Sequence, residues 1–290
     1  MLFARQLLLS TLSLLLIGST SFPQKSLANS QQSAEPSQIL STQGQLKRSK
    51  RPNQFVCPVK LRVINAAIET GSAVDVIING QKQLENVPFR QASQYVDLPP
   101  GSINVNFVQA GTNNQLAYRT FTGAPNGAYT VAITGPIQGP PGQPLFNESP
   151  FVIQEDLTQP NPGKFKGRWY RFSETNAVID FRISKSSSPN QDETRLTDLI
   201  PKTAIAYPEL TAGRYNFNPV LPDQFDPLVN DAFNPPIQVE VVNQDVPAGV
   251  IFDVIATGNP LGQGPNSLTL TTASTQVAPP DANGCNQIVE

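Results

Sequence analysis

The chain has 290 residues, with 28 Pro, 19 Gly, 39% hydrophobic and 14% charged residues, a net charge of −2 and no His. That length accommodates two modest cores, and a charged fraction well under the roughly 25% of ordinary soluble domains leaves a polar, uncharged surface of Thr, Ser, Asn and Gln. Nucleic acid is excluded by the weak net charge, and the missing imidazole excludes Ser-His-Asp and Cys-His nucleophiles, His-containing zinc or copper sites and imidazole acid/base work.

In chain order, Arg5 precedes an apolar run from Leu7 to Ile17, and Ser26-Leu27-Ala28 supplies small residues for cleavage before Asn29. Residues 1–28 therefore read as a signal peptide. The run is too short to span a bilayer comfortably, so no stable membrane span is expected after cleavage, a retained anchor helix being the alternative. Cleavage would take the net charge from −2 to −4, because Arg5 and Lys25 leave and no acid does. Residues 29–54 are Gln, Ser and Pro rich with almost nothing to bury, and read as a disordered leader. Its basic cluster, Lys47, Arg48, Lys50 and Arg51, reads as solvated linker charge.

From Val59 the pattern becomes short alternating runs bounded by turn residues, as expected of strands with one buried face. Lys60 to Ile64, Ala73 to Ile78, Ser93 to Asp97, Ile103 to Phe107, Leu116 to Phe121 and Ala128 to Ile133 are such runs. Asn79-Gly80 predicts a hairpin because both residues tolerate positive φ, and Leu98-Pro99-Pro100-Gly101 predicts a turn. Residues 55–136 are thus expected to close as an antiparallel β-sandwich. The Pro/Gly-rich stretch 135–144 lacks the donors for a central strand, so 137–163 reads as a linker.

The second half repeats the first. Ala177 to Phe181 echoes Ala73 to Val76, Leu210 to Gly213 with Arg214 to Phe217 echoes Leu98 to Gly101 with Ser102 to Val105, and Gly249 to Gly258 echoes Tyr129 to Gly135. The spacing grows from about 104 to 112 to 123 residues, which places insertions at Ser184 to Arg195 and Pro222 to Pro236. The expectation is all-β: two tandem antiparallel, immunoglobulin-like β-sandwiches after a signal peptide and leader, the second over 164–260 with a tail at 261–290.

Cys57 stands just before the first strand and Cys285 five residues from the end. In an oxidising compartment an isolated pair is most simply one disulfide, which would require the domains to fold back or the tail to run beside both; separate thiols are the alternative. Asp75 and Asp180 hold matched places in the two repeats, which speaks for structural roles rather than for a catalytic pair in unlike environments. Glu155-Asp156 and Asp223, Asp226 and Asp231 lack the spacing of a calcium loop. No catalytic residue, metal ligand or cofactor site is assigned. Trp169, with Tyr170 and Phe172, falls on a strand where alternation buries either Trp169 or its two neighbours. Core packing is the first reading of Trp169 and a glycan-stacking platform the second.

Asn65-Ala66, Ala73 to Val76 with Asn79-Gly80, Asn86-Val87-Pro88-Phe89, Tyr95 to Leu98 with Gly101, Ala110-Gly111-Thr112 and Tyr129-Thr130-Val131 together resemble the secreted bacterial family called domain of unknown function 4397. That resemblance covers about Leu61 to Gly135 and implies tandem β-sandwich repeats on exported or surface proteins. In its layout, and at Asn161 to Phe165 leading into Arg168 to Phe172, the chain is also similar to AlgF, the accessory protein family of alginate O-acetylation. The expected function is an exported, periplasmic or extracellular, non-enzymatic binding or structural module of the cell envelope, with an envelope protein or polysaccharide as partner. The alternative that the AlgF likeness implies is an accessory role in O-acetylation of an alginate-like exopolysaccharide. A hydrolase using acids alone comes last.

Overall fold

The alternating runs of the first half fold as strands, and the order in which they pair places both faces of some of them indoors. The computed structural model describes residues 55–67, 73–135, 150–172, 179–187, 193–200, 202–220, 242–258 and 267–289. The signal peptide, the leader, the Pro/Gly-rich stretch 136–149 and the insertion at Pro222 to Pro236 lie outside the described residues, as does part of the insertion at Ser184 to Arg195.

The first half contains β1 (Val59–Ala67), β2 (Val74–Ile78), β3 (Gln81–Val87), β4 (Gln91–Ala92), β5 (Val96–Leu98), β6 (Gly101–Gln109), β7 (Gln115–Gly123), β8 (Ala128–Gly135) and β9 (Phe151–Glu155). One sheet runs β4-β1-β8-β9, with β5 also paired to β1, and the other runs β3-β2-β6-β7. The two sheets enclose a core of Leu61, Val63, Val76, Ile103, Phe107 and Val131. Asn79 and Gly80 adopt the expected positive φ, 51° and 83°, in the β2–β3 hairpin. Gly101 turns β5 into β6 at φ 125°, a conformation that L side chains rarely adopt.

The second half contains β10 (Lys164–Phe172), β11 (Ile179–Lys185), β12 (Glu193–Leu199), β13 (Thr203–Thr211), β14 (Gly213–Val220), β15 (Val242–Val246), β16 (Val250–Thr257), β17 (Thr269–Ala278) and β18 (Gln287–Val289). Its sheets run β13-β10-β16-β17-β18 and β12-β11-β14-β15. The central strands repeat those of the first half: β10 stands for β1, β16 for β8, β11 for β2 and β14 for β6. The repeat read from side chains is therefore a repeat of hydrogen-bonded topology. The aromatic core of this half holds Phe165, Trp169, Phe181, Phe217 and Phe252, with Phe217 stacked on Phe252 at 5.2 Å between centroids.

Three features depart from the expectation. The central pairs β1/β8 and β10/β16 are parallel, while the other strand pairs are antiparallel. Each partner is reached by a chain that crosses to the opposite sheet and returns, the long connection that a parallel pair needs. The stretch expected as a linker contributes β9, which pairs with β8 from Ala128↔Glu155 to Ala132↔Phe151. The stretch expected as a tail contributes β17 and β18, which extend the sheet of β16. Both were hidden by flanking Pro, Gly and Asn, which mark loops in a local reading.

The sheet containing β1 and β8 packs its second face against the sheet containing β10 and β16. Ile64, Ala66, Ala132, Tyr170, Phe172 and Ile255 form that shared layer. Four sheets therefore stack in sequence, and the two inner ones are covered on both faces. This is why β16 is buried at all eight positions, the pattern of a strand sandwiched on both sides. Among the described residues no helix is long and apolar enough to cross a membrane.

Asp75 serves the fold. Its carboxylate accepts hydrogen bonds from the backbone N–H of Asn86 at 2.9 Å and of Gly111 at 3.4 Å, and from Lys82 Nζ at 2.9 Å. The Asn86 amide and the Lys82 ammonium hold its carboxyl below the usual carboxylate range, against the opposing effect of burial. Asp75→Ala strands two backbone amides, one in β3 and one in the turn after β6, and is expected to destabilise the protein by about 1–3 kcal/mol. Urea unfolding at neutral pH measures this; a change under about 0.5 kcal/mol, the level of an indifferent surface substitution, would contradict the assignment.

Candidate functional site

Along β1, odd-numbered residues face the first core, and Arg62 and Ile64 face the second sandwich. On β8 and β10 the even-numbered residues, and on β16 the odd-numbered ones, face the same layer, which aims Thr130, Arg168, Tyr170 and Asp253 at it. Glu155 enters at the end of β9. Two of these groups correspond by register: Arg62 stands opposite Thr130 in the β1/β8 pair, and Arg168 stands opposite Asp253 in β10/β16. Each repeat thus contributes one arginine from its first strand to the same layer.

The layer is a closed charge network. Arg62 donates from Nε to Thr130 Oγ1 at 2.9 Å, from Nη1 to Asp253 Oδ2 at 2.5 Å, and from Nη2 to Glu155 Oε1 at 3.1 Å and Tyr170 Oη at 2.7 Å. Arg168 Nε donates to Asp253 Oδ1 at 3.0 Å, and its Nη1 lies 2.7 Å from Glu155 Oε2. That second approach is off the N–H direction, so it is an ion pair without a hydrogen bond. Glu155 also accepts from the hydroxyls of Tyr95, Thr130 and Tyr170. Arg62 is 1% exposed and Asp253 0%. Two cations and two anions balance, as buried charge requires.

Burial alone would push the Glu155 carboxyl up, but the guanidinium groups of Arg62 and Arg168 outweigh it and hold the pKa down at about 2. Burial likewise opposes the charge on both arginines, and Asp253 and Glu155 overcome it, so both stay cationic. For Tyr95 and Tyr170 burial wins over the nearby arginines and keeps the phenols protonated. Glu155, the two arginines and the two phenols are therefore each locked in one protonation state, away from the near-neutral poise that a general acid or base needs.

Beside the network opens a cleft of about 430 Å³. Ser93, Gln94 and Tyr95 line it from the segment between β4 and β5, Ser274 to Gln276 line it from β17, and Arg62 reaches its wall. A neighbouring hollow lies where β4 meets β17, and Thr271 Oγ1 donates there to the Arg90 carbonyl at 2.6 Å. The accessible part mixes the hydroxyls and amides of Ser93, Gln94, Ser274 and Gln276 with apolar side chains such as Pro247, Val250 and Ile288, while the charges beneath are already engaged.

The sandwiches are also joined covalently. Cys57 and Cys285 form a disulfide with Cα atoms 5.4 Å apart across 228 residues of sequence. The segment that ends in β18 thereby returns to the start of the first sandwich. Asn126 reinforces the tie: its Oδ1 accepts from Asn286 N at 2.7 Å, and its Nδ2 donates to the Gly284 carbonyl at 3.3 Å.

Trp169 is 1% exposed and lies against Phe181 in the second core. It offers no face to a sugar ring, and the glycan-stacking reading of Trp169 is set aside. Its neighbours Tyr170 and Phe172 are buried as well, because alternation decides which sheet a residue faces and both sides of β10 are occupied. Glu155 belongs to the buried network, and Asp156 pairs with Lys166 at 2.9 Å. Asp223, Asp226 and Asp231 lie outside the described residues. Among the described residues no three His, Cys, Asp or Glu side chains gather as a metal site would require.

The network itself escaped the sequence reading. Its one local signal is an ionisable residue inside an apolar run, Asp253 between Phe252 and Val254 and Arg62 between Leu61 and Val63. Such a residue on a strand with one wet face is ordinary.

A family model described as Domain of unknown function (DUF4397) matches residues 59–182. The match runs from the first residue of β1 into β11, so it takes in the whole first sandwich and the opening strands of the second. The resemblance drawn from Asn65 to Val131 is thus supported over that span. A search of curated proteins finds no match.

Proposed function

We propose that this chain is an exported, non-enzymatic binding or structural module of the cell envelope, working in the periplasm or outside the cell. The observation that carries the proposal is the Cys57–Cys285 disulfide. A bond closing 228 residues persists where thiols are oxidised, and is rare where glutathione keeps them reduced. The signal-like residues 1–28 agree with it. The non-enzymatic half of the proposal draws on the absence of His and on a network whose two carboxylates and two guanidinium groups neutralise one another. Paired sandwiches with a cleft lined mainly by uncharged side chains, polar and apolar together, suit holding a partner better than transforming one.

Full-length protein carrying a C-terminal tag, expressed in a bacterium and fractionated by osmotic shock, tests this. The expected result is recovery outside the cytoplasm, a mature N-terminus at Asn29 and no alkylatable thiol before reduction. Intact Met1 with two free thiols in the cytoplasmic fraction would overturn it. Co-purification of an acyltransferase would move the reading to the O-acetylation accessory role.

A further inference from the structure

The outer face of the β3-β2-β6-β7 sheet carries an aromatic residue that the core does not use. Tyr118, in the middle of β7, is 62% exposed. The register sets it opposite Asn106 and sets Thr120 opposite Asn104, all on the side away from the core. Asn104 Nδ2 donates to Thr120 Oγ1 at 3.0 Å, which fixes that amide beside the ring. Asn104, Asn106, Gln115 and Tyr118 line a shallow depression of about 240 Å³. Asn106 Oδ1 is buried and makes no hydrogen bond among the described residues.

None of these side chains is charged. Lys82, one strand beyond Ile77, is engaged by Asp75 at 2.9 Å and Glu85 at 3.4 Å. A flat ring rimmed by amides and hydroxyls, which donate and accept alike, complements a sugar: apolar C–H groups on the ring face, hydroxyls around it. Arg119, next in β7, is set opposite Val105 on the other side of the strand, so the four lining side chains offer a polyanion no cation. A protein partner would need a larger apolar patch than one ring.

We propose that the β6–β7 face around Tyr118 is a binding site for a neutral polysaccharide, with Tyr118 as the stacking platform and Asn104, Asn106 and Gln115 as hydroxyl partners. This goes beyond the envelope-module reading, and its test uses purified protein, so it stands or falls apart from the fractionation result.

The test is affinity electrophoresis of the full-length oxidised chain in gels containing dextran, hydroxyethyl cellulose, laminarin or alginate. The expected result is retardation by at least one neutral polymer, unchanged between about 50 and 500 mM salt, a range over which exposed charge attraction is largely screened out. Tyr118→Ala should weaken it about tenfold, the equivalent of about 1.4 kcal/mol. Tyr118→Phe should retain it, and both variants should keep the parent's thermal midpoint because the side chain is exposed. No retardation by any of the three neutral polymers, equal retardation of Tyr118→Ala, or retention in alginate alone that salt abolishes would each overturn the proposal.

Discussion

Reduction of the Cys57–Cys285 disulfide is expected to lower the thermal midpoint by about 5–15 °C, since 1 kcal/mol corresponds to about 2–4 °C in a chain of this size. Closing a loop of 228 residues removes entropy from the unfolded chain worth about 5 kcal/mol in the chain-entropy model. The two sandwiches have separate cores, Phe107 and Val131 in one and Phe217 and Phe252 in the other. Each can open while its neighbour stays folded, so only part of that figure appears, about 2–5 kcal/mol. The Asn126 clasp on Gly284 and Asn286 depends on the same return of the chain and weakens with it. Calorimetry of oxidised protein against Cys57→Ala/Cys285→Ala measures the effect. A shift under about 1 °C, a few tenths of a kcal/mol on the same scale, would mean that the inner layer alone holds the sandwiches together.

Loss of the Glu155 charge should cost about as much and leave a signature in pH. Glu155→Gln leaves two buried guanidinium groups facing one carboxylate, and breaking a buried pair from one side costs about 3–5 kcal/mol. In the parent, the folded-state pKa of about 2 lies below the ordinary value of 4.5. The ionised carboxylate therefore stabilises the fold in full above pH 4.5, and that contribution drains away as the pH falls towards 2. The amount is about 3 kcal/mol, from about 1.36 kcal/mol for each unit of pKa difference. Urea midpoints at neutral pH and at successively lower pH check both parts. The parent should lose stability steeply on acidification, and Glu155→Gln should start lower and lose less. Equal acid sensitivity in the two proteins would remove Glu155 from the role given to it. Replacing Arg62, Arg168, Glu155 and Asp253 together by apolar residues of similar size should cost far less than Glu155→Gln, because no charge is then left unmatched.

These two expectations rest on features of unequal legibility. The disulfide was readable as a pairing because only two Cys exist, and their positions already demanded that the end of the chain return to its beginning. The network was not readable. Arg62 meets Asp253 across 191 residues, Glu155 across 93, and Arg168 meets Asp253 across 85. Nothing near any of these residues in sequence specifies its partner. Trp169 shows the same gap from the apolar side. Alternation set it on one side of β10 and Tyr170 on the other, but could not say that both sides lie indoors.

Local chemistry alone determined the strands with period-two burial, the Asn79-Gly80 hairpin, the glycine turns at Gly101 and Gly213, and the doubling of one pattern along the chain. Each depends on backbone preferences and side-chain alternation within a few residues. Only the tertiary structure decided that β1 pairs in parallel with β8 and β10 with β16, that β9, β17 and β18 complete the sheets, and that the inner sheets dock face to face. Docking turns four charges on otherwise ordinary strands into a buried, neutral cluster and leaves Tyr118 on an outer face. The physical reason is that a strand's sequence encodes which side each residue takes, whereas what occupies that side depends on surfaces assembled from segments far apart in the chain.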